Sequence, residues 1–340
     1  MIFGRSRRRS TQAYIPRPAS DGNLAHLPAP GLPLAPFTIT AVPLPLANPA
    51  TQRENICECP TSRTWQAPRA LHLWHLASLD APTVAVVWAL AFARAAGVHL
   101  DLWVLLLLVC GTWTVYVGDR LLDAHRAIRS GTLGDLRERH YFHWRHRRLL
   151  VPVACATAAI AADIVARRMP VAVRSRDSVL AAAALMYFSG VHMTAKLPEW
   201  LRKFASKELL VGLLFTAGCA APTLSHLHSA QWLFFACLVF FVALAWVNCA
   251  AIESWESSNR STHSTAILRR TFVLGAAALA ASGAFALSDA RASALVFSVA
   301  ASALFLWLLD RTRTRVSPLT LRSLADLVLL TPLVLVMGAR

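Results

Sequence analysis

Charged residues are scarce in this chain, and lysine is almost missing from it. Only 15% of the 340 residues are charged, 56% are hydrophobic, and the three lysines all lie between residues 196 and 207. The mean hydropathy is +0.48. A composition this apolar excludes an ordinary soluble domain and is typical of a polytopic membrane protein.

A disulfide framework is missing as well. Five of the seven cysteines lie singly within hydrophobic stretches, where cysteine behaves as a small apolar residue. Cys57 and Cys59 are close in sequence, but a Cys-x-Cys pair without further ligands is a weak signal for a metal site. The cysteines therefore indicate neither a disulfide-stapled domain nor a strong metal centre.

The first 70 residues differ in composition from the rest of the chain. A basic cluster from Arg5 to Arg9 precedes a stretch between residues 16 and 50 that is rich in proline and alanine and has no hydrophobic period. Prolines interrupt any apolar stretch of the signal-peptide type. We predict that residues 1–70 form a disordered, basic and proline-rich tail, and that residues 71–340 form a transmembrane domain.

The remainder of the chain contains a series of long apolar stretches. Stretches of roughly 17 to 25 apolar residues are expected to cross a bilayer as helices. We therefore predict an all-α, polytopic membrane helical bundle with about nine transmembrane helices. These helices are expected near residues 82–97, 100–118, 149–166, 177–195, 208–226, 231–252, 270–288, 292–310 and 319–338.

The net charge of +16 is informative through its distribution along the chain. If the amino terminus is placed inside, 26 of the 34 lysine and arginine residues fall on the inner side. This asymmetry follows the positive-inside rule, so it favours a membrane protein over a nucleic-acid-binding one. We expect an integral protein of a bacterial inner (plasma) membrane, in contact with membrane lipids and with its amino terminus in the cytoplasm.

A pair of acidic residues follows the second predicted span. Asp119 and Asp123 are spaced i, i+4 and share one helical face, with Arg120 and Arg126 close by. Carboxylates at the mouth of a membrane helix are costly unless something polar fills the space between them. A divalent metal ion that holds a phosphate would do so.

A second acidic group ends the sixth predicted span on the same side of the membrane. Glu253 and Glu256 are spaced i, i+3, and Asn248 lies about two turns before Glu256, so that all three can share one face. If the second and sixth spans pack together, four carboxylates surround one cavity. Hard oxygen ligands of this kind suit Mg²⁺.

The connection between residues 196 and 208 contains all three lysines. Lys203 and Lys207 are spaced i, i+4 and can offer positive charge to a diphosphate on the cytoplasmic side. Ordinary retention of positive charge in the cytoplasm explains them equally well.

Further ionisable residues lie within or beside the predicted spans. Asp163 and Asp326 are inside spans, where such a group is by default a functional candidate. Each has an arginine one turn away, so we expect the local ion pairs Asp163–Arg167 and Asp326–Arg322. The three histidines between residues 140 and 146 are interpreted as part of a basic helix on lipid headgroups rather than as a metal site.

Over about residues 75–340 the chain resembles the UbiA superfamily of intramembrane prenyltransferases. The first motif of that family is Asn-Asp-x-x-Asp-x-x-x-Asp, and its last two acids align with Asp119 and Asp123. Val115 and Tyr116 stand where the family has its asparagine and first aspartate. The second motif of the family, normally built from aspartates, corresponds to the Asn248, Glu253 and Glu256 group.

The resemblance implies a fold, a reaction and a set of site residues. The implied reaction is Mg²⁺-dependent transfer of a prenyl group from a prenyl diphosphate to an aromatic or other lipid acceptor within the membrane. The catalytic, metal-binding residues implied are Asp119, Asp123, Glu253 and Glu256. The residues expected to contact the substrate are Asn248, Arg120, Arg126, Lys203 and Lys207.

Two other functions are open at the level of sequence. CDP-alcohol phosphotransferases also combine acids with a divalent metal in a helical bundle, but their pattern begins Asp-x-x-Asp-Gly. Asp119 and Asp123 are four residues apart instead of three, and Asp123 is not followed by glycine. The second alternative is a catalytically inactive membrane scaffold or a transporter. Transporters often contain broken helices and internal repeats, and neither is evident in this sequence.

Overall fold

A computed structural model of the chain describes residues 65–131, 137–191, 207–227, 232–256 and 264–337. The chain divides into two units, Met1–Glu58 and Cys59–Arg340, and all the described residues belong to the second. Most of the predicted tail, together with Cys57 and Cys59, therefore lies outside the described residues.

The described residues form α-helices joined by short connections, with two brief 3₁₀ turns near the carboxyl end. In chain order the elements are α1 (Arg69–Leu76), α2 (Asp80–Ala95), α3 (Leu102–Arg129), α4 (Glu138–Arg145), α5 (Arg147–Arg167), α6 (Val171–Val191), α7 (Lys207–Leu224), α8 (Trp232–Glu256), α9 (Ser264–Phe285), α10 (Ala290–Thr312), a 3₁₀ turn (Arg313–Arg315), α11 (Pro318–Leu327), a 3₁₀ turn (Val328–Leu330) and α12 (Leu333–Met337).

The predicted all-α membrane bundle is confirmed, whereas the number of nine spans is not. Five of the described helices, α3, α5, α8, α9 and α10, are long and apolar enough to cross a membrane. A sixth span results if α1 and α2, which meet at 86°, are counted together. The chain is thus an integral membrane protein by the length and apolar character of its helices.

The bend between α1 and α2 is made by a tight turn around Ser78. The backbone N–H groups of Ser78 and Leu79 donate to the carbonyls of His75 (3.1 Å) and Trp74 (3.0 Å), which closes the last turn of α1. Ser78 itself has a left-handed backbone with φ of 59°. Glycine is the usual residue at this position of a helix end, so a serine here indicates a requirement for its side chain.

The ninth predicted span, residues 319–338, is broken into α11, a 3₁₀ turn and α12. Pro332 has no N–H group, so the carbonyl of Val328 loses the partner that a continuous helix would provide. Ser302 of α10 replaces it by donating its hydroxyl to that carbonyl (2.8 Å), and Trp88 of α2 donates its indole N–H to the carbonyl of Leu329 (2.8 Å). The break is therefore satisfied by side chains of neighbouring helices, as a break within an apolar bundle requires.

The apolar core lies among α2, α7, α8, α9 and α10, with α11 against it. Trp88 of α2 stacks on Phe241 of α8 with ring centroids 3.9 Å apart, and Phe92 meets the same ring edge-on at 5.5 Å. All three side chains are completely buried. Stacked and edge-to-face aromatic pairs add to the free energy gained from burial, so this cluster fixes α2 against α8.

Candidate functional site

One end of the bundle carries a cavity of about 220 Å³ with both charged and apolar walls. Residues from α2, α3, α4, α7, α8 and α11 contribute to it. The basic lining residues are Arg120, Arg137, Arg139 and Arg322. The acidic ones are Asp80, Glu208, Glu253, Glu256 and Asp326. The apolar wall includes Val84, Val211, Phe215, Ile252 and Leu329.

A second cavity of about 500 Å³ adjoins the first. The two cavities share the side chains of Arg137, Arg139, Ile252, Glu256 and Arg322. His75 and Arg313 line only the second cavity. Arginines outnumber carboxylates in the lining of this second cavity, so it is the more electropositive of the two.

Four of the residues predicted from sequence meet at the first cavity. These are Arg120 of α3 and the three polar residues of α8, Asn248, Glu253 and Glu256. Helices α3 and α8, which carry the two acidic motifs, therefore do contribute to a common cavity. The amide oxygen of Asn248 is buried and has no hydrogen-bond partner among the described residues.

Glu256 is held by several arginines rather than standing alone. Its carboxylate lies 2.5 Å from the guanidinium of Arg137 and 3.9 Å from that of Arg139, and it accepts a hydrogen bond from Arg322. Glu253 is more exposed and lies 3.8 Å from Arg137. The second acidic motif is thus interleaved with positive charge, an arrangement that the sequence did not indicate because these arginines lie in other segments.

Asp119 and Asp123 are absent from the residues that line the cavity. Asp123 contacts Arg126, at 4.0 Å, and the imidazole of His140, at 3.8 Å, and its side chain is 41% exposed. Asp119 is partly buried, and its charge acts on Arg139. Asp123 and Asp119 thus interact with His140 and Arg139, both of α4.

Lys203 lies outside the described residues, and Lys207 is the first residue of α7. Arg126 is on the exposed face of α3 and pairs with Asp123. Of the predicted substrate-contacting residues whose side chains the structure describes, Arg120 and Asn248 line the cavity and Arg126 does not.

Arg120 is a central member of a buried hydrogen-bond network. It donates to the carbonyl of His75 (3.1 Å) and to the hydroxyl of Ser78 (2.7 Å). The Ser78 hydroxyl lies 3.0 Å from Nε2 of His143, whose Nδ1 lies 2.8 Å from the carbonyl of Arg139. Because a carbonyl can only accept, Nδ1 of His143 is the donor and its Nε2 accepts from Ser78.

The histidines of α4 are neutral parts of this network and do not form a surface row. Burial, together with the charge of Arg120, lowers the pKa of His143 to about 4. Burial and the charges of Arg139, Arg120 and Arg137 lower the pKa of His140 to about 3. The interpretation of the histidine segment as a helix lying on headgroups is wrong for these two side chains, because both are buried against the bundle.

Three arginines lie close enough to one another to interact unfavourably. Burial, followed by the charges of Arg120 and Arg137, lowers the pKa of Arg139 to about 9, so that the group is still charged at pH 7. Nη1 of Arg139 is buried and has no hydrogen-bond partner among the described residues. A cluster of this kind has an unused capacity to bind an anion.

The structure also brings together three residues of which the sequence indicates only Asp326 as a functional candidate. Nδ1 of His75 lies 2.7 Å from Asp80 Oδ2 and 3.1 Å from Asp326 Oδ2. The expected Asp326–Arg322 pair is not among the ion pairs of the described residues, since Arg322 binds Glu256 of α8 instead. The expected Asp163–Arg167 pair is present at 2.6 Å.

No protein-family model matches the chain, and no curated protein or solved structure shows significant similarity to it.

Proposed function

We propose that this protein is an intramembrane prenyltransferase that uses Mg²⁺ to transfer the prenyl group of a prenyl diphosphate to a hydrophobic acceptor, either aromatic or lipid. The observation that carries the proposal is the cavity at one end of the bundle, where carboxylates, arginines and an apolar wall converge. A prenyl diphosphate needs carboxylates to hold its metal ion, arginines to bind its diphosphate and an apolar wall to contact its prenyl chain. The positive-inside asymmetry of the sequence supports a cytoplasmic location of this end in a bacterial plasma membrane.

The donor atoms around the cavity fit a magnesium ion. Asn248 offers a buried amide oxygen without a hydrogen-bond partner, and Glu253 and Glu256 offer carboxylates on the following turns of α8. Mg²⁺ prefers oxygen ligands and often bridges carboxylates to phosphate. When bound, it supplies charge neutralisation for the departing diphosphate.

The protein's own side chains would hold and shield the substrate. Arg139 and Arg322 each have a buried guanidinium nitrogen with no hydrogen-bond partner among the described residues, so they can donate to diphosphate oxygens without breaking an existing bond. Val84, Val211 and Phe215 would contact the first part of the prenyl chain. These apolar walls exclude water from a carbocation that forms when the diphosphate leaves.

A second candidate is a carrier or scaffold that binds a phosphorylated lipid without cleaving it. Two breaks in the helices favour it, the 86° bend between α1 and α2 and the interruption between α11 and α12. Discontinuous helices beside a charged cavity are typical of transporters. The pairing of Glu256 with arginines also favours binding over metal-dependent chemistry.

The proposal is tested by measuring pyrophosphate release from farnesyl and geranylgeranyl diphosphate by the purified protein in detergent, with and without Mg²⁺. We expect release that depends on Mg²⁺ and that falls at least about ten-fold in Arg322→Gln, since a charge-assisted donor to the leaving group is lost. Arg167→Gln is the matched control, because Arg167 is exposed and paired with Asp163 at the far end of α5. It should retain wild-type release.

The same samples separate the two candidates. Saturable binding of the prenyl diphosphate without pyrophosphate release would contradict the transferase function and support the carrier function. Absence of both binding and release would overturn both. Loss of release in Asp119→Ala and Asp123→Ala, with Arg322→Gln fully active, would place the diphosphate beside the first acidic motif and overturn the assignment to this cavity.

A further inference from the structure

We propose that His75, Asp80 and Asp326 form a binding site for a divalent transition-metal ion. One potential ligand atom from each residue lies within 4.8 Å of the ligand atoms of the other two. His75 is completely buried, and the side chains of Asp80 and Asp326 are 4% and 19% exposed. The three residues come from the end of α1, the start of α2 and the end of α11.

The spacing of the ligand atoms matches that around one ion. Ligands bound at about 2.1 Å and at right angles to each other are about 3 Å apart. The two observed distances from Nδ1 of His75 to the carboxylate oxygens, 2.7 and 3.1 Å, are close to this value. A small adjustment of the carboxylates would therefore admit an ion among the three side chains.

The protein alone does not provide hydrogen-bond partners for every polar atom of this cluster. Nδ1 of His75 faces two carboxylates, but it carries at most one proton to donate. Nε2 of His75, although completely buried, has no hydrogen-bond partner among the described residues. The other oxygen of Asp80 already accepts from the backbone N–H of Ala81 (2.9 Å), so that Oδ2 is oriented towards His75.

A further oxygen atom that could bind a metal ion or its water ligand is buried in the wall of the first cavity. Asp80 and Asp326 line the first cavity together with Asn248, whose amide oxygen is buried and unpartnered. Water or a phosphate oxygen in that cavity would complete the coordination of an ion held by three protein ligands. His75 lines the second cavity, so the cluster forms part of the partition between the two.

The donor set identifies the class of ion. One imidazole nitrogen with two carboxylates suits Mn²⁺, Fe²⁺, Co²⁺ or Zn²⁺, whereas Mg²⁺ prefers oxygen ligands alone. The competing arrangement is an ion-free cluster in which Arg120, 3.7 Å from Asp80, serves as the counter-charge. The metal proposal does not rest on prenyl transfer, because metal binding is measured without any lipid substrate.

The experiment is a titration of the purified full-length protein with Mn²⁺ after removal of metals by a chelator. Electron paramagnetic resonance should show one tightly bound Mn²⁺ per chain, and pulsed spectra of that ion should show coupling to a histidine ¹⁴N nucleus. Asp326→Asn should weaken Mn²⁺ binding by at least about ten-fold, since it replaces a charged ligand with a neutral one. In His75→Gln the nitrogen coupling should disappear.

Two control variants match the chemistry of the tested ones. His99→Gln removes an exposed histidine, and Asp163→Asn removes an exposed aspartate, so both should leave the affinity and the nitrogen coupling unchanged. The nitrogen coupling is read on wild-type protein and remains decisive even if a variant fails to fold. Absence of bound Mn²⁺, absence of nitrogen coupling, or unchanged binding in folded Asp326→Asn and His75→Gln would overturn the proposal.

Discussion

Ser78 combines a left-handed backbone with a buried hydroxyl that has partners on both sides. Its φ of 59° is unfavourable for a residue with a Cβ atom, and its hydroxyl receives a hydrogen bond from Arg120 and lies 3.0 Å from His143. The hydroxyl therefore joins α3 and α4 to the turn between α1 and α2. Backbone strain at such a position persists only because the surrounding contacts outweigh it.

Substitutions of Ser78 should separate the effect of the hydroxyl from that of the backbone. Ser78→Ala retains the strain and leaves buried donors and acceptors unpaired, so we expect the free energy of unfolding to fall by about 1–3 kcal/mol. Ser78→Gly loses the same hydroxyl but relieves the left-handed strain, so it should be less destabilised than Ser78→Ala by about 1 kcal/mol. Denaturant unfolding in detergent measures both.

Ser225→Ala is the control for the loss of a serine hydroxyl. Among the described residues its hydroxyl donates to carbonyls of the preceding turn of α7, so the change should be small. Equal stabilities of the alanine and glycine variants at position 78 would show that the turn is unstrained and would refute the explanation given for the serine.

At the residue level, local spacing predicted part of the site. Helical spacing places Asn248, Glu253 and Glu256 on one face, and they do line one cavity. His75 and Asp80 were not selected, because a turn separates them and their partner Asp326 lies at the other end of the chain. Arg322, one turn from Asp326 in sequence, meets Glu256 on another helix, so sequence proximity identified the wrong ion pair.

Among the elements, the interrupted segment from α11 to α12 depends most clearly on its neighbours. Val328 loses its helical hydrogen bond to Pro332, and the hydroxyl of Ser302 provides the replacement. The hydroxyls of Ser302 and Thr331 lie 2.7 Å apart, and Thr331 in turn donates to the carbonyl of Ser298. The break is thus attached to α10 by several hydrogen bonds.

Ser302→Ala should therefore destabilise the protein at the break between α11 and α12. Loss of the donor leaves a buried carbonyl unsatisfied, and we expect the free energy of unfolding to fall by about 1–3 kcal/mol. In a Pro332→Ala background the N–H group needed by Val328 is present again, so the same serine substitution should cost less. A double-mutant cycle, measured by unfolding in detergent, gives the difference directly.

Ser298→Ala serves as the control on the same helix, because in the described part of the chain the Ser298 hydroxyl donates within α10, to Ala294. It should change stability little. If Ser302→Ala costs as much with alanine at position 332 as with proline, the hydroxyl is not compensating for the proline.

The sequence predicts the fold correctly where residues close together in the chain determine the structure. The long apolar runs predicted α3, α5, α8, α9 and α10, because hydrophobic length alone selects a membrane helix. The last span was predicted as continuous although Pro332 interrupts it, since apolar composition conceals the break. The bend before α2 was missed because Ser78, unlike glycine, gives no sequence signal for a left-handed turn.

For the whole molecule, the two neutral histidines of α4 predict sensitivity to acid. His140 and His143 have lowered pKa values, about 3 and 4, in the folded protein and an ordinary value near 6.5 when unfolded. At pH values between the folded and unfolded pKa values, the unfolded state binds more protons than the folded state. The free energy of unfolding therefore falls as the pH falls. Proton linkage predicts that the free energy of unfolding falls by on the order of 2 kcal/mol per histidine between pH 7.5 and pH 5.

Unfolding at pH 7.5 and pH 5 in the same detergent checks this expectation. His143→Gln removes one titrating group, so its stability should depend on pH less steeply than that of the wild type. His99→Gln, at an exposed position, should retain the full dependence. Equal stability of the wild-type protein at the two pH values would contradict the buried, neutral state of both histidines.

The contact between the first and last described segments bears on how the protein is made. Asp326 faces His75, and the hydroxyl of Thr320 accepts from the backbone N–H of Ala67 (3.1 Å). These partners are about 250 residues apart in sequence, so a nascent chain carries an incomplete charged end until α11 leaves the translocon. Formation of that end therefore requires α11, and a chain without α11 would leave His75 and the backbone N–H of Ala67 without these partners.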